Sequence, residues 1–280
     1  MLGTAATTAG ACAALLVRSI IGSGNHGYAA ISLASALGYA GAALVVGGFP
    51  RDRLGQNAIQ RGRRESARQV VAGFVAGARH VIARRPAAYA LAVISTHRFF
   101  YGISTIATLL LYRNYFHTDG ALRAGLAGLG QVLAVGAAGS LVAAVVTPAA
   151  TRRLGKPVWI TALLAVAALT EVVFGLPYTM AALLGGAFLL GIAAQGVKIS
   201  VDTTVQENVD DEFRGRVFSV YDTLFNLMFV CAVVVGAFTL PITGRSYPML
   251  GVIAAGYAMS AVAFGLATAR LDRTSRRPRG

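Results

Sequence analysis

The stretch PVWITALLAVAALTEVVFGL, residues 157–176, decides the class of fold, because it runs for twenty residues with one charge, Glu171, and no alternation of polar and apolar positions. At about 1.5 Å per residue, a helix of this length crosses roughly 30 Å, the hydrocarbon thickness of a bilayer. A membrane-spanning strand would need only about 10 residues of alternating polarity, which this run does not have. Similar runs recur outward from it at approximately 2–22, 27–49, 87–112, 124–149, 178–200, 217–240 and 247–269, making eight expected spans. Pro50, Pro86, Pro148, Pro157, Pro177, Pro241 and Pro248 fall at or near span ends, where a missing backbone donor costs least. The expected fold is all-α, a polytopic membrane bundle of about eight transmembrane helices.

Composition agrees. The chain is 56% hydrophobic and only 13% charged, with a mean hydropathy of +0.64, whereas about a quarter of a soluble domain is charged. The net charge of +14 raises the question of nucleic acid, but 23 of the 25 basic residues are Arg, clustered between apolar runs. That pattern points to membrane lipids as partners and away from nucleic acid. Cys12 and Cys231 each lie in an apolar run, so neither a disulfide framework nor a cysteine metal site is implied. Met1 is followed at once by apolar and small residues without a basic leader, so the first run reads as a span and not as a secretory signal.

The basic residues also orient the chain. Twenty of them fall in the stretches 50–86, 150–156, 198–216 and 270–280, all on one side of the membrane, against Arg113, Arg123 and Arg245 on the other. Loops rich in Lys and Arg stay in the cytoplasm, so both termini are expected there, in a cell membrane. The long connection 50–86 holds nine Arg, and its second half, Ser66–Arg85, places Val70, Val71, Phe74, Val75, Val81 and Ile82 on one helical face. It is expected to lie on the membrane surface with Arg68 and Arg79 toward headgroups. The layout is thus two helices over 1–49, an Arg-rich loop over 50–86, six helices over 87–270 and a basic tail over 271–280.

Small residues at four-residue spacing, Ala34, Gly38 and Ala42, or Gly136 and Ser140, allow close helix approach in lipid. Gly125, Gly128 and Gly130 do not form a dinucleotide loop, since no strand precedes them and the spacing differs. Polar groups within spans are more informative, because a charge at mid-membrane is costly unless it meets water or a partner. Arg98 lies about 12 residues into its span, roughly 18 Å from the cytoplasmic end, beside His97 and near Tyr101. It reads either as a cavity-facing cation for an anionic group or as a structural, snorkelling arginine. Glu171 is a candidate coupling carboxylate or an interfacial residue, and Arg18 could pair with it. Asp222 and Asn226 share a face of the seventh span, and Gln131 and Gln195 add polar groups elsewhere.

Residues 206–219 read QENVDDEFRGRVFS, with acids preceding a helix whose positive end they complement. This pattern of Gln, Val, acid and Arg-Gly-Arg-Val opening a span resembles a loop of bacterial major facilitator superfamily exporters of the drug and siderophore type. A second short motif of that family, acid then basic, any, Gly, basic, resembles Arg152-Arg153-Leu154-Gly155-Lys156, where Arg153, Gly155 and Lys156 match and Arg152 replaces the acid. The resemblance implies that 87–269 is similar to the family's second six helices and 1–49 to the last two of its first six. It also implies that the first four helices have no counterpart, so that activity requires upstream sequence, a second copy or another chain. Gating roles at the basic end would fall to Arg153, Gly155, Lys156, Glu212, Arg214 and Arg216. The family's glycine- and proline-rich antiporter signature is absent, Gly10–Ala14 supplying only small residues.

The function expected from these features is export of drug-like or other small organic solutes by alternating access, with a polar cavity around Arg98, His97, Gln131 and Glu171. The alternative is a non-transporting membrane module or a fragment with an interaction role. An enzyme is not expected. The sequence has no H-E-x-x-H or G-x-S-x-G and no clustered His or Cys, and Asp210 and Asp211 project about 100° apart on a helix, which suits no metal. No cofactor is implied.

Overall fold

The computed structural model describes residues 25–48, 67–116 and 122–275. The expected span at 2–22, with Arg18 and Cys12, lies outside the described residues, as do much of the Arg-rich loop and the end of the tail. The described helices are α1 (Asn25–Gly47), α2 (Ala67–Ala83), α3 (Arg85–Asn114), α4 (Leu122–Leu154), α5 (Lys156–Gly175), α6 (Met180–Asn208), α7 (Asp211–Thr239) and α8 (Tyr247–Ser275). No strand occurs among the described residues. Seven of the eight expected spans coincide with helices, and the remaining described helix, α2, is the amphipathic segment. Helices α4 to α8 each contain a stretch long and apolar enough to cross a bilayer. Helix α3 has 30 residues, also long enough to cross, but His97, Arg98 and several hydroxyls lower its hydropathy.

The backbone falls into two compact units divided between Ala72 and Gly73. The first contains α1, which carries the Ala34, Gly38 and Ala42 stripe. The second is a bundle running from the later turns of α2 through α8. In it α4 packs on α6, α5 on α6 and α8, and α3 on α6, α7 and α8. Its core is aliphatic, with Ile94, Ile103, Leu164, Val197, Val201 and Val217 nearly inaccessible. Because lipid is as apolar as these side chains, close packing and not water exclusion holds the helices together. The α4–α6 crossing shows this best. A Cβ added to Gly139 would sit 2.1 Å from the Phe188 carbonyl oxygen, and one on Gly191 would sit 2.2 Å from that of Gly136. Ser140 Oγ reaches the Gly191 carbonyl at 3.3 Å across the same contact.

Three expectations are corrected. The stretch 198–216 is not a loop: α6 runs on to Asn208 and α7 begins at Asp211, leaving two connecting residues. Hydropathy reports where a helix leaves the apolar layer, not where it ends, and both helices continue beyond it. Lys198 is therefore about three turns inside α6 and not a loop cation. Likewise α4 continues through Pro148 to Leu154, so that only Gly155, at φ +82°, separates it from α5. A positive φ there is one glycine adopts without strain, and it turns the chain in one residue. Finally, the apolar positions of α2 spread over a broad arc with two environments. Val81 is 3% exposed in the bundle core, while Ile82 is 72% exposed and Val75 41%.

Helix starts follow local chemistry. Pro86 and Pro157 occupy first-turn positions of α3 and α5. The Thr179 hydroxyl caps α6 by accepting from the Ala182 N–H at 3.3 Å. Asp211 and Glu212 sit in the first turn of α7, where they complement its dipole.

Candidate functional site

Arg98 projects from the middle of α3 toward α7. Its guanidinium carbon lies 4.3 Å from the ring centroids of both Phe225 and Phe229, and 5.8 Å from that of Tyr101. Phe225 and Phe229 are one turn apart on α7, so their rings form a cradle for the planar cation. Such contacts stabilise a desolvated guanidinium by up to about 2 kcal/mol each, but they leave its N–H donors unused. The buried Nε has no hydrogen-bond partner, and no acid among the described residues forms an ion pair with Arg98.

A second cation reaches the same aromatic surface from α6. Lys198 Nζ lies 5.9 Å from the Phe225 centroid and 5.5 Å from that of Tyr221. Unlike Arg98, it is neutralised, by Asp202 at 2.8 Å one turn along the helix. Sequence reasoning missed Asp202 and the aromatic cradle, and placed Lys198 in a loop. The Lys198/Asp202 spacing of four residues was a readable signal once α6 is continued past the apolar segment.

The other polar residues divide between environments. His97, next to Arg98, points into the bundle between Tyr101 and Tyr257, at centroid distances of 5.9 and 5.5 Å. It is buried with neither ring nitrogen hydrogen-bonded. Asp222 and Asn226 share the exposed face of α7, where the Asn226 amide donates to the Asp222 carbonyl at 2.8 Å. Gln131 is exposed on α4. Glu171 is buried on α5 and accepts from Ser104 Oγ of α3 at 2.5 Å. Ser104 is six residues beyond Arg98, which turns it about 120° around α3. Glu171 and Arg98 thus face different hydrogen-bond and ring neighbours, and the cavity that Glu171 lines is not lined by Arg98, His97 or Gln131.

At the basic end of the bundle, the two motif stretches are tied together. Lys156, opening α5, pairs with Glu207 near the end of α6. Arg84 pairs with Asp210 in the α6–α7 turn, where His80 stacks on Phe213 at 4.2 Å. Arg216 covers the Phe213 ring at 5.5 Å and abuts Gly77, where a Cβ would come within 2.9 Å of the Arg216 backbone. Arg214 pairs within its own helix, with Asp211 at 2.5 Å. Arg153 and Glu212 are exposed, and Gly155 makes the α4–α5 turn.

At the opposite end, Arg245 in the α7–α8 connection gathers three tyrosines. Its guanidinium lies 5.6, 5.4 and 5.3 Å from the rings of Tyr115, Tyr178 and Tyr247. It donates to Tyr115 Oη at 3.2 Å and Tyr247 Oη at 2.8 Å, while the Ser246 N–H donates to Tyr178 Oη at 3.0 Å. Tyr178 holds φ +46°, a left-handed conformation costly for a bulky residue. The aromatic cluster and the Ser246 bond hold it there.

Comparison with known proteins completes the description. The family model described as Major Facilitator Superfamily matches residues 1–233. The chain is 34% identical over 249 residues to uncharacterised MFS-type transporters of Mycobacterium tuberculosis and Mycobacterium bovis, covering 87% of this chain and 55% of each relative. It therefore spans about half the length of the curated relatives it matches. No solved structure matches.

Proposed function

The chain belongs to the major facilitator superfamily, and on that premise we propose that it exports small organic solutes by alternating access, engaging an anionic group of the solute with Arg98. The observation that carries this reading is a half-buried guanidinium whose Nε has no hydrogen-bond partner, held between Phe225 and Phe229 and answered by no acid among the described residues. An arginine so placed offers a fork matched to a carboxylate or phosphate, while the rings accept apolar parts of the same solute. Lys198 adds a second cation whose charge Asp202 already balances, so the site keeps a net positive charge for one anionic group. Asp222, Asn226 and Gln131, exposed on α7 and α4, are proposed to line the solute's path.

Alternating access needs two bundles that rock about a central site. Helices facing Arg98 from the other side are therefore proposed to come from another part of the polypeptide, a second copy or another chain. The basic end is proposed to be cytoplasmic, in a cell membrane. The Lys156–Glu207 and Arg84–Asp210 pairs would tie its turns together, with Arg153, Gly155, Glu212, Arg214 and Arg216 as further gating candidates.

The test is transport in proteoliposomes loaded with carboxyfluorescein as an amphiphilic anion probe. Arg98→Ala is expected to reduce flux about tenfold or more, with Arg98→Lys retaining part of it, since a hydrogen bond to a charged group contributes about 1.5–3 kcal/mol. Equal and measurable flux from wild-type and Arg98→Ala chains inserted to the same level would overturn the assignment.

A further inference from the structure

The transport reading leaves Glu171 and the space around it without a role. A cavity of about 90 Å³ opens among α3, α5, α6 and α8 beneath the tyrosine cluster. Its lining is mostly apolar and includes Ser104, Thr108, Thr170, Tyr178 and Ser246 together with one carboxylate, Glu171. This mixture of an apolar wall with a few aimed polar groups characterises a binding site for a small organic molecule.

The carboxylate determines what kind. Glu171 is 7% exposed, and among the described residues Ser104 is the one hydrogen-bond donor it meets. That bond is far too little to hold an ionised group in a low-dielectric interior, so the carboxyl is neutralised either by a proton or by a cation seated in the cavity. Among the described residues no Lys, Arg or His lines the cavity. Arg245 lies beside it in sequence, but its guanidinium is engaged by three tyrosine rings and does not contribute to the lining. A bare metal cation prefers several charged or carbonyl oxygens gathered on all sides of it, whereas this wall is largely apolar and carries a single carboxylate. An ammonium with a short alkyl chain satisfies both halves, since its three donors match Glu171 and the hydroxyls and its alkyl group meets Phe174, Leu190 and Ile253. The volume sets the size, because a cavity of about 150 Å³ accepts benzene and this one is smaller.

We propose that this cavity is a binding site for a small primary alkylammonium ion paired with Glu171, separate from the anion cradle at Arg98. The site does not depend on the transport reading, as the two lie on different faces of α3.

Radiolabelled ethylammonium, added to the purified chain in lipid nanodiscs, tests this by equilibrium binding. One saturable site per chain is expected, weakened roughly thirtyfold in Glu171→Gln. Ala182→Phe, which adds bulk to the lining and leaves the carboxylate intact, should weaken it too, while Arg98→Ala should leave it unchanged. A second measurement needs no variant: ethylammonium should slow the modification of Glu171 by dicyclohexylcarbodiimide in the wild-type chain, read by mass spectrometry. Absence of saturable binding, equal binding in Glu171→Gln, or modification of Glu171 that the amine does not slow would each overturn the proposal. The last would assign the carboxyl a proton in place of the amine.

Discussion

Gly139 and Arg98 illustrate two ways in which one residue matters to this bundle. At Gly139 the constraint is steric, as the Phe188 carbonyl oxygen occupies the place of a side chain. Gly139→Ala must push α4 from α6, and it is expected to cost about 1–3 kcal/mol, measured as a lower apparent melting temperature in detergent. Gly130→Ala on the same helix, where an added Cβ meets nothing within 4 Å, should leave that temperature nearly unchanged. The sequence pointed to this helix through Gly136 and Ser140, but glycine spacing alone does not say which glycine meets another backbone. That depends on the crossing point with α6, which is a property of two helices together. At Arg98 the sequence showed a charge inside a span. Whether it snorkels or is cradled was undecidable until Phe225 and Phe229 were brought over it from more than 120 residues away.

Among elements, the turn between α6 and α7 gathers contacts that no local pattern announces. Arg84 and His80, from the end of α2 and the residue after it, converge on Asp210 and Phe213. Asp210→Ala should loosen the later turns of α2, raising their amide hydrogen exchange about two- to fivefold, the range for losing an exposed ion pair. Lys156→Ala, which unties α5 from α6, should leave α2 exchange as it was. The amphipathic pattern of 66–85 correctly indicated a helix. It did not indicate that Val81 would be core and Ile82 exposed, because a hydrophobic arc is the same whether it meets lipid or protein. The helix ends were misjudged for a related reason. Apolarity marks the membrane layer, while backbone hydrogen bonds carry α4, α6 and α7 beyond it.

For the whole molecule, the clustering of arginines predicts a topology that labelling can test. With Cys12 and Cys231 replaced by Ala, single cysteines at Arg153 and Glu212 should react with a membrane-impermeant maleimide only from the cytoplasmic side, and a cysteine at Thr243 only from the outside. Reaction of all three from one side would contradict the orientation. The sequence by itself determined the all-α membrane class, the positions of the described spans and the family resemblance, since all three follow from local composition along the chain. Apolar runs of bilayer length permit few structures other than helices, because the backbone must satisfy its own hydrogen bonds in lipid. Only the tertiary structure decided which polar groups share a neighbourhood. It separated Arg98 from Glu171, gave Lys198 to Asp202 inside α6 and placed a cavity around a lone carboxylate. Each of these depends on which helix faces impinge on one another, and that is settled by close packing across the bundle.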